Sequence, residues 1–142
     1  APPDIVFRPF VTYDPVLITS LDHPLTQRRR ITLKDIARHP LILPPREQST
    51  YRIVEMVFAE HSLAHDVKLE VGGYEVIKKY VALGLGISIV MSHCLTGEEN
   101  LHTAPVRRWF PRRSYGLVLR KGRPLSPAVR RFVQIVCPNL AW

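Results

Sequence analysis

The run Val76-Ile77-Lys78-Lys79-Tyr80-Val81-Ala82-Leu83-Gly84-Leu85-Gly86-Ile87-Ser88-Ile89-Val90 constrains this chain more than any other stretch. Apolar residues at 76, 77, 80, 81 and 83 keep helical spacing, two glycines then end the helix, and a β-favouring run follows at once. A helix that feeds straight into an apolar strand predicts a strand buried on both faces. Such strands belong to open, mostly parallel α/β sheets, whose ligands collect in the crevice at the carboxyl ends of the strands. The feature points to ligand sensing.

The 142 residues, 46% of them hydrophobic, suffice for one ordinary core, and no stretch reads as a membrane span or a signal peptide. No membrane partner is expected. Cys94 and Cys137 lie far apart in apolar contexts, which predicts buried free thiols rather than a disulfide framework or a metal motif, and with them a reducing cytoplasm.

Charge is distributed unevenly. Residues 1–99 carry 11 Lys or Arg against 12 Asp or Glu, whereas residues 100–142 carry nine Lys or Arg and no acid. The whole excess of +8 therefore lies in the tail. Arg107, Arg108, Arg112, Arg113, Arg120, Lys121, Arg123, Arg130 and Arg131 could attract nucleic acid or small anions, but no nucleic-acid motif accompanies them. A solvated basic face, or one that meets an acidic surface, is the simpler reading.

Along the chain, residues 5–10 and 15–20 read as extended, and Asp22-His23-Pro24-Leu25 with Arg28-Arg29-Arg30 reads as an exposed turn and loop. Thr32 caps a short helix over residues 33–38, with Asp35 three positions on and Pro40 marking its end. Leu41-Ile42-Leu43 is a short apolar strand. Pro44-Pro45 then leads through Arg46-Glu47-Gln48 into a helix with Ser49 as its expected N-cap. Tyr51, Val54, Val57 and Phe58 form its inner face, while Arg52, Glu55 and Ala59 point outward. Residues 67–71 alternate as a half-buried strand, and Gly72-Gly73 turn it into the helix that precedes Gly84. Alternating strands and helices between residues 15 and 92 predict an α/β lobe with right-handed crossovers. The tail adds residues 101–106, a basic loop with Trp109, a strand over 115–119, and a last helix with Ser126 as N-cap and Pro127 at its first position. Val129, Phe132, Val133 and Val136 share one face of that helix with no local partner, so Phe132 and Val133 are expected to be exposed.

Two loops carry binding chemistry. Ser49 and Thr50 place hydroxyls beside the unpaired N–H groups of a helix start, an arrangement that favours an anion, and Arg46 and Gln48 add donors. Gly72 and Gly73 form a second helix start whose backbone a ligand can approach closely. The plain alternative is that Ser49 only caps its helix. Catalysis finds no support in the residues. Of six histidines, only His61 and His65 have a spacing that could put two metal ligands on one helical face, and no third ligand accompanies them. His93 and Cys94, as neighbours, point apart, and Gly84-Leu85-Gly86 is not followed by a phosphate-loop lysine. No enzyme activity, cofactor or metal is expected.

Three stretches stand in the order and spacing of the LysR-type transcriptional regulators. They are Asp22-His23-Pro24-Leu25, Tyr74-Glu75-Val76-Ile77-Lys78-Lys79-Tyr80-Val81-Ala82-Leu83-Gly84-Leu85-Gly86, and Leu119-Arg120-Lys121-Gly122-Arg123-Pro124-Leu125-Ser126-Pro127-Ala128. From residue 16 to residue 137 the chain resembles the effector-binding domain of that family. The wording from Val76 to Val81 is most similar to the branch that controls sulfur assimilation and cysteine synthesis. The resemblance implies an α/β fold, two-lobed and like that of periplasmic binding proteins, with a small effector held in a cleft. On this reading residues 15–92 are the second lobe (regulatory subdomain II), and residues 1–14 and 93–142 are the crossover and part of the first lobe (regulatory subdomain I). One lobe is then complete and the other partial. The winged helix-turn-helix and the opening of the first lobe are not in the chain, so it is expected to be a fragment whose parent alone contacts DNA.

The resemblance further implies a homo-oligomeric parent, a dimer or tetramer, in which the helix containing Tyr51 to Ala59 contributes to pairing. The effector loops would be those of Arg46, Gln48, Ser49 and Thr50 and of Gly72 and Gly73, with a small anionic metabolite as ligand. In the sulfur-responsive branch a threonine tends to stand where this chain has Gly72, which removes a hydroxyl, opens space and argues against an inorganic sulfate-like ion. Two other function classes use the same residues: a solute-binding module of a transport system, and direct DNA binding by the basic tail with a steep salt dependence.

Overall fold

The computed structural model of the chain describes residues 3–140, so the outermost residues of the expected first-lobe segments, 1, 2, 141 and 142, lie outside the described residues. In chain order the elements are β1 (Ile5–Tyr13), β2 (Pro15–Thr19), a 3-10 turn (Pro24–Gln27), α1 (Leu33–Ala37), β3 (Leu41–Leu43), α2 (Ser49–Glu60), β4 (Val67–Glu70), α3 (Tyr74–Ala82), β5 (Ser88–Met91), a second 3-10 turn (Ser92–Cys94), β6 (His102–Pro105), β7 (Arg113–Arg120) and α4 (Pro127–Val136). They form two compact units, one of residues 13–113 and one built from the segments on either side of it.

In the 13–113 unit, β3 and β4 pair in parallel, and β2 pairs antiparallel with both β5 and β6. One parallel bridge, Leu41 to Ile87, joins the two groups. There the Ile42 N–H donates to the Ile87 carbonyl at 2.8 Å and the Ile87 N–H donates to the Pro40 carbonyl at 2.9 Å. Gly86 permits this approach, since a Cβ on it would stand 2.7 Å from the Pro40 carbonyl oxygen and 3.0 Å from Ile42 Cγ1. The resulting strand order is β4-β3-β5-β2-β6. Four of the five strands run in one direction, as expected of a mostly parallel sheet, and only β2 runs against its neighbours. The reason is its entry: Pro15 follows closely on β1 and starts β2 opposite Met91, at the edge where β5 ends.

Alternation along the strands sends side chains to two faces. On one, Leu17, Leu41, Leu43, Ile87 and Ile89 meet Leu33 and Ile36 of α1 and Tyr51, Val54, Val57 and Phe58 of α2. On the other, Ile18, Ile42 and Val90 meet Ile77 and Val81 of α3. Fully burying a side chain such as Phe58 contributes about 1.5–3 kcal/mol. The inner face of α3 is narrower than its spacing suggests. Val76 and Leu83 are exposed, and Lys78 is buried in their place. Lys78 Nζ lies 2.8 Å from Glu75, 2.9 Å from Glu99 and 2.7 Å from the Cys94 carbonyl. Burial opposes the charged amine, but these partners outweigh it and hold its pKa above the ordinary value. The Glu99 carboxylate accepts the Thr96 and Gly97 N–H groups as well as Lys78, and is held down to about 2. A three-partner knot thereby ties α3 to the loop that follows β5. Cys94, expected to be buried, is half-buried at that knot, and Cys137 is buried.

The helix ends follow local rules. Thr32 and Asp35 form the expected capping box, and Asp35, held ionised first by the Thr32 hydroxyl, also pairs with Arg28 at 2.6 Å. At the end of α3, Gly84 (φ 78°) donates to the Val81 carbonyl and Leu85 to the Tyr80 carbonyl, a complete Schellman motif. α2 ends the same way on Ser62, a non-glycine residue at φ 53°. The turn expected to be exposed at residues 22–25 buries Leu25 in the core, because the His23 ring nitrogen accepts the Leu25 N–H at 3.1 Å and caps the 3-10 turn. His61 and His65 are engaged locally, the first with the Val57 carbonyl at 2.8 Å and the second stacked on Phe58.

In the flanking unit, β1 pairs with β7. Thr12 bonds Ser114 at one end and Lys121 donates to the Asp4 carbonyl at the other, so the strands run antiparallel. Gly116 lets β7 lie against Arg8 and Pro9, where a Cβ would clash with backbone. Ser126 caps α4 through the Val129 N–H, with Pro127 in the first turn. Phe132 is 60% exposed as expected, but Val133 is 1% exposed, one position round the helix and turned inward.

Ser62→Gly removes a left-handed strain and is expected to stabilise the chain by about 1 kcal/mol in urea unfolding. A pH dependence is expected as well. His23 and His39 stack edge to face at 4.5 Å, and burial first, with mutual repulsion added at His23 and Arg28 at His39, lowers both pKa values from 6.5. The folded state thus resists protonation that the unfolded chain accepts. Their contribution is complete above pH 6.5 and is lost as pH falls from there through the lowered folded values. Melting temperature is expected to begin falling just below pH 6.5, well above the carboxylate range, and the drop is expected to shrink in His39→Gln.

Candidate functional site

β3 and β4 run in parallel, with Leu41 opposite Val67, Ile42 opposite Leu69 and Leu43 opposite Glu70, so their carboxyl ends share one edge of the sheet. The Val71 N–H extends the pairing to that edge by donating to the Leu43 carbonyl at 2.9 Å. From β3 the chain turns through Pro44 and Pro45 into α2, and from β4 it turns through Gly72 and Gly73 into α3. Two helices therefore begin at the same edge, both within the 13–113 unit.

These two starts differ from those of the other helices. Thr32 caps α1 and Ser126 caps α4 with side-chain hydrogen bonds, whereas α2 and α3 have no side-chain cap. Gln48, not Ser49, is the N-cap residue of α2. The Gln48 N–H closes a turn on the Pro45 carbonyl at 2.9 Å, which leaves Gln48 extended and puts Ser49 already in the helix. Ser49 keeps an exposed hydroxyl in the first turn, where the first N–H groups of a helix have no partner inside it. Each uncapped start carries the positive end of a helix dipole.

The structure places the six residues expected from the sequence in different settings. Gln48 and Ser49 are exposed on the first turn of α2, while Thr50 is buried. Thr50 Oγ1 lies 3.1 Å from the Tyr74 hydroxyl, which links the two helix starts directly. Arg46 is drawn aside: its Nε donates to Glu70 Oε1 at 2.9 Å, and its guanidinium sits 5.5 Å from the centre of the Tyr51 ring. The bond to Glu70 raises its pKa. Gly72 and Gly73 are exposed, and a Cβ on either would meet nothing within 4 Å. Gly73 has φ 89°, a conformation that L side chains rarely adopt. Hydroxyls, amide donors and open backbone thus share this edge, and they suit a ligand bearing acceptor oxygens.

Sequence reading assigns no role to Tyr74 or Lys78. An aromatic residue directly after a Gly-Gly helix start is the available signal for the first. A lysine set among apolar positions on a helix is the signal for the second. The basic tail does not form one patch within a unit: four of its residues belong to the 13–113 unit and the others to the flanking unit. Arg112 pairs with Asp14 at 2.6 Å, and Arg108 lies over the Trp109 ring. Among the described residues, no group of three or more His, Cys, Asp or Glu side chains could hold a metal, and no helix is long and apolar enough to cross a membrane.

Known proteins are similar to this chain in sequence and fold. The family described as LysR substrate binding domain matches residues 1–140. The HTH-type transcriptional regulator cbl of Escherichia coli strain K12 is 35% identical over 141 residues, which is 98% of this chain and 45% of that protein. The chain thus spans about half the length of the curated relatives it matches. Among solved structures, the cofactor-binding domain of the Cbl transcriptional regulator has a TM-score of 0.83 at 34% identity, over 98% of this chain and 62% of that one. The regulatory domain of Synechocystis PCC6803 CcmR, in complex with 2-PG, has a TM-score of 0.83 at 26% identity, over 98% of this chain and 71% of that one.

The two glycines are expected to separate on mutation. Gly72→Ala should leave stability within about 0.5 kcal/mol, as a surface change without strain does. Gly73→Ala should lose about 1–3 kcal/mol, because alanine is strained at that φ. Urea unfolding of both variants checks the pair.

Proposed function

Because the chain belongs to the LysR substrate-binding domain family, with its two-lobed α/β fold, we propose that it is the effector-sensing part of a bacterial transcriptional regulator and binds a small anion at the shared start of α2 and α3. The observation that carries this reading is that these two helices, unlike α1 and α4, begin without a side-chain cap, and do so at one sheet edge. An anion there is held by N–H groups of both first turns, by the Ser49 hydroxyl and by the Gln48 amide, with Thr50 behind them bonded to Tyr74. Gly72 and Gly73 let it approach the backbone. Arg46 stands beside the edge with Glu70 as its resting partner.

Residues 15–92 are proposed as the second lobe, with residues 1–14 and 93–142 forming the crossover and the share of the first lobe present here. The function is allosteric. A ligand that binds one arrangement of the domain more tightly shifts the population toward it, by no more than its differential affinity. The parent is proposed to be a cytoplasmic homo-oligomer that contacts DNA through a separate helix-turn-helix domain. The similarity to cbl supports the regulatory reading, and the 2-PG complex of the CcmR domain supports a small-molecule effector. Its anionic character rests on the donor chemistry of the edge. A transport module has no comparable support among these relatives, which are named as transcriptional regulators rather than as enzymes or transporters.

Amide chemical shifts of the labelled chain, followed during titration with inorganic sulfate and with 2-PG, test the site. The expected result is saturable change confined to residues 48–51 and 72–75, with affinity about tenfold weaker in Ser49→Ala, the loss of one hydrogen bond to a charged group. Saturable change elsewhere, or none with either probe, overturns the assignment.

A further inference from the structure

We infer that Tyr74 is a specificity-determining residue of the α2–α3 edge, presenting its phenolic O–H to an acceptor oxygen of an organic anion. The inference rests on the reading that this edge binds the effector. It starts from the hydroxyl pair. Thr50 is buried at 4% exposure, and its Oγ1 lies 3.1 Å from the Tyr74 hydroxyl. Two hydroxyls joined by one hydrogen bond contain two protons, and one proton lies between the oxygens. The other is left to donate. Thr50 is the buried member and Tyr74 the half-buried one, so the arrangement that keeps both satisfied has Thr50 donating to the phenol oxygen and the phenol O–H turned outward.

The phenol is also held in place. Its ring packs against the cluster of Ile18, Ile42, Ile77, Val81 and Val90. A tyrosine anchored by its ring and oriented through its oxygen loses little freedom when it binds a ligand, which is how a hydroxyl discriminates effectively. Beside it, a Cβ on Gly72 or on Gly73 would touch nothing within 4 Å, so there is room next to the phenol for a carbon framework as well as a charged group. An inorganic ion satisfied by the start of α2 does not need Tyr74. An organic anion extending over Gly72 and Gly73 uses it.

The experiment compares the chain with Tyr74→Phe, which keeps the ring and removes only the oxygen, and with Thr50→Val, which removes the orienting hydroxyl at similar volume. Amide-shift titrations use inorganic sulfate and 2-PG as probes, and thermal melting checks that each variant is folded. The expected result is that Tyr74→Phe weakens 2-PG about tenfold and sulfate by less than about twofold, with Thr50→Val between wild type and Tyr74→Phe for 2-PG. Equal affinity for 2-PG in wild type and Tyr74→Phe, with shifts at residues 48–51 retained, overturns the role of Tyr74 and leaves the effector edge standing. Absence of shifts at residues 48–51 with both probes in the wild type overturns the effector edge itself, and Tyr74 with it. Should Tyr74→Phe fail to fold, an unchanged ratio of the two affinities in Thr50→Val overturns the inference.

Discussion

The approach of Ile87 to β3 is the contact on which the 13–113 unit depends. Without it, β3 and β4 form one small sheet and β2, β5 and β6 another, each too narrow to bury two helical layers. Two backbone hydrogen bonds make the join, and both need Gly86, because any Cβ there would stand against the Pro40 carbonyl. Once the strands are joined, Ile42 and Val90 fall on one face and Leu41, Ile87 and Ile89 on the other. α3 then covers one face while α1 and α2 cover the opposite one. The parallel sense of β3 and β4 also brings the starts of α2 and α3 to the same edge.

Electrostatics divides the helix starts into two kinds. In α1 and α4 a side-chain cap, Thr32 or Ser126, accepts one first-turn N–H, and in α1 Asp35 accepts the Thr32 N–H as well. α2 and α3 leave that role open. Of the charged groups near them, Arg46 is matched with Glu70 and Lys78 with Glu75 and Glu99, and the edge adds hydroxyls and backbone dipoles. The Lys78 knot also fixes the loop after β5 against α3.

Much of this fold is legible in short stretches. The Thr32 and Asp35 capping box, the Ser126-Pro127 helix start and the inner face of α2 each depend on residues within a few positions of one another, and the structure bears out all three. The double glycine after α3 signals a helix stop, and Gly84 does serve that purpose, but Gly86 acts through close approach to a strand far earlier in the chain. Local reading fails where another group intervenes. Nothing near Lys78 in the sequence announces that Glu99 and the Cys94 carbonyl draw it inward, and the turn at Leu25 becomes part of the core only because His23 caps it from within. Ser49 is displaced from the cap position by a turn closing on Pro45.

For the site, the loops and their residue types can be read directly, since proline, glycine and hydroxyl residues at helix starts act through backbone geometry that the sequence itself encodes. What tertiary structure alone decides is which of those groups meet. The bond between Thr50 and Tyr74 and the diversion of Arg46 to Glu70 each join residues 24 positions apart, and the common edge of α2 and α3 arises through the same parallel register of β3 and β4. Propensity and capping act within a turn or two and are written in neighbouring residues. Pairing across a sheet depends on the register of the whole core, and no local stretch carries that information.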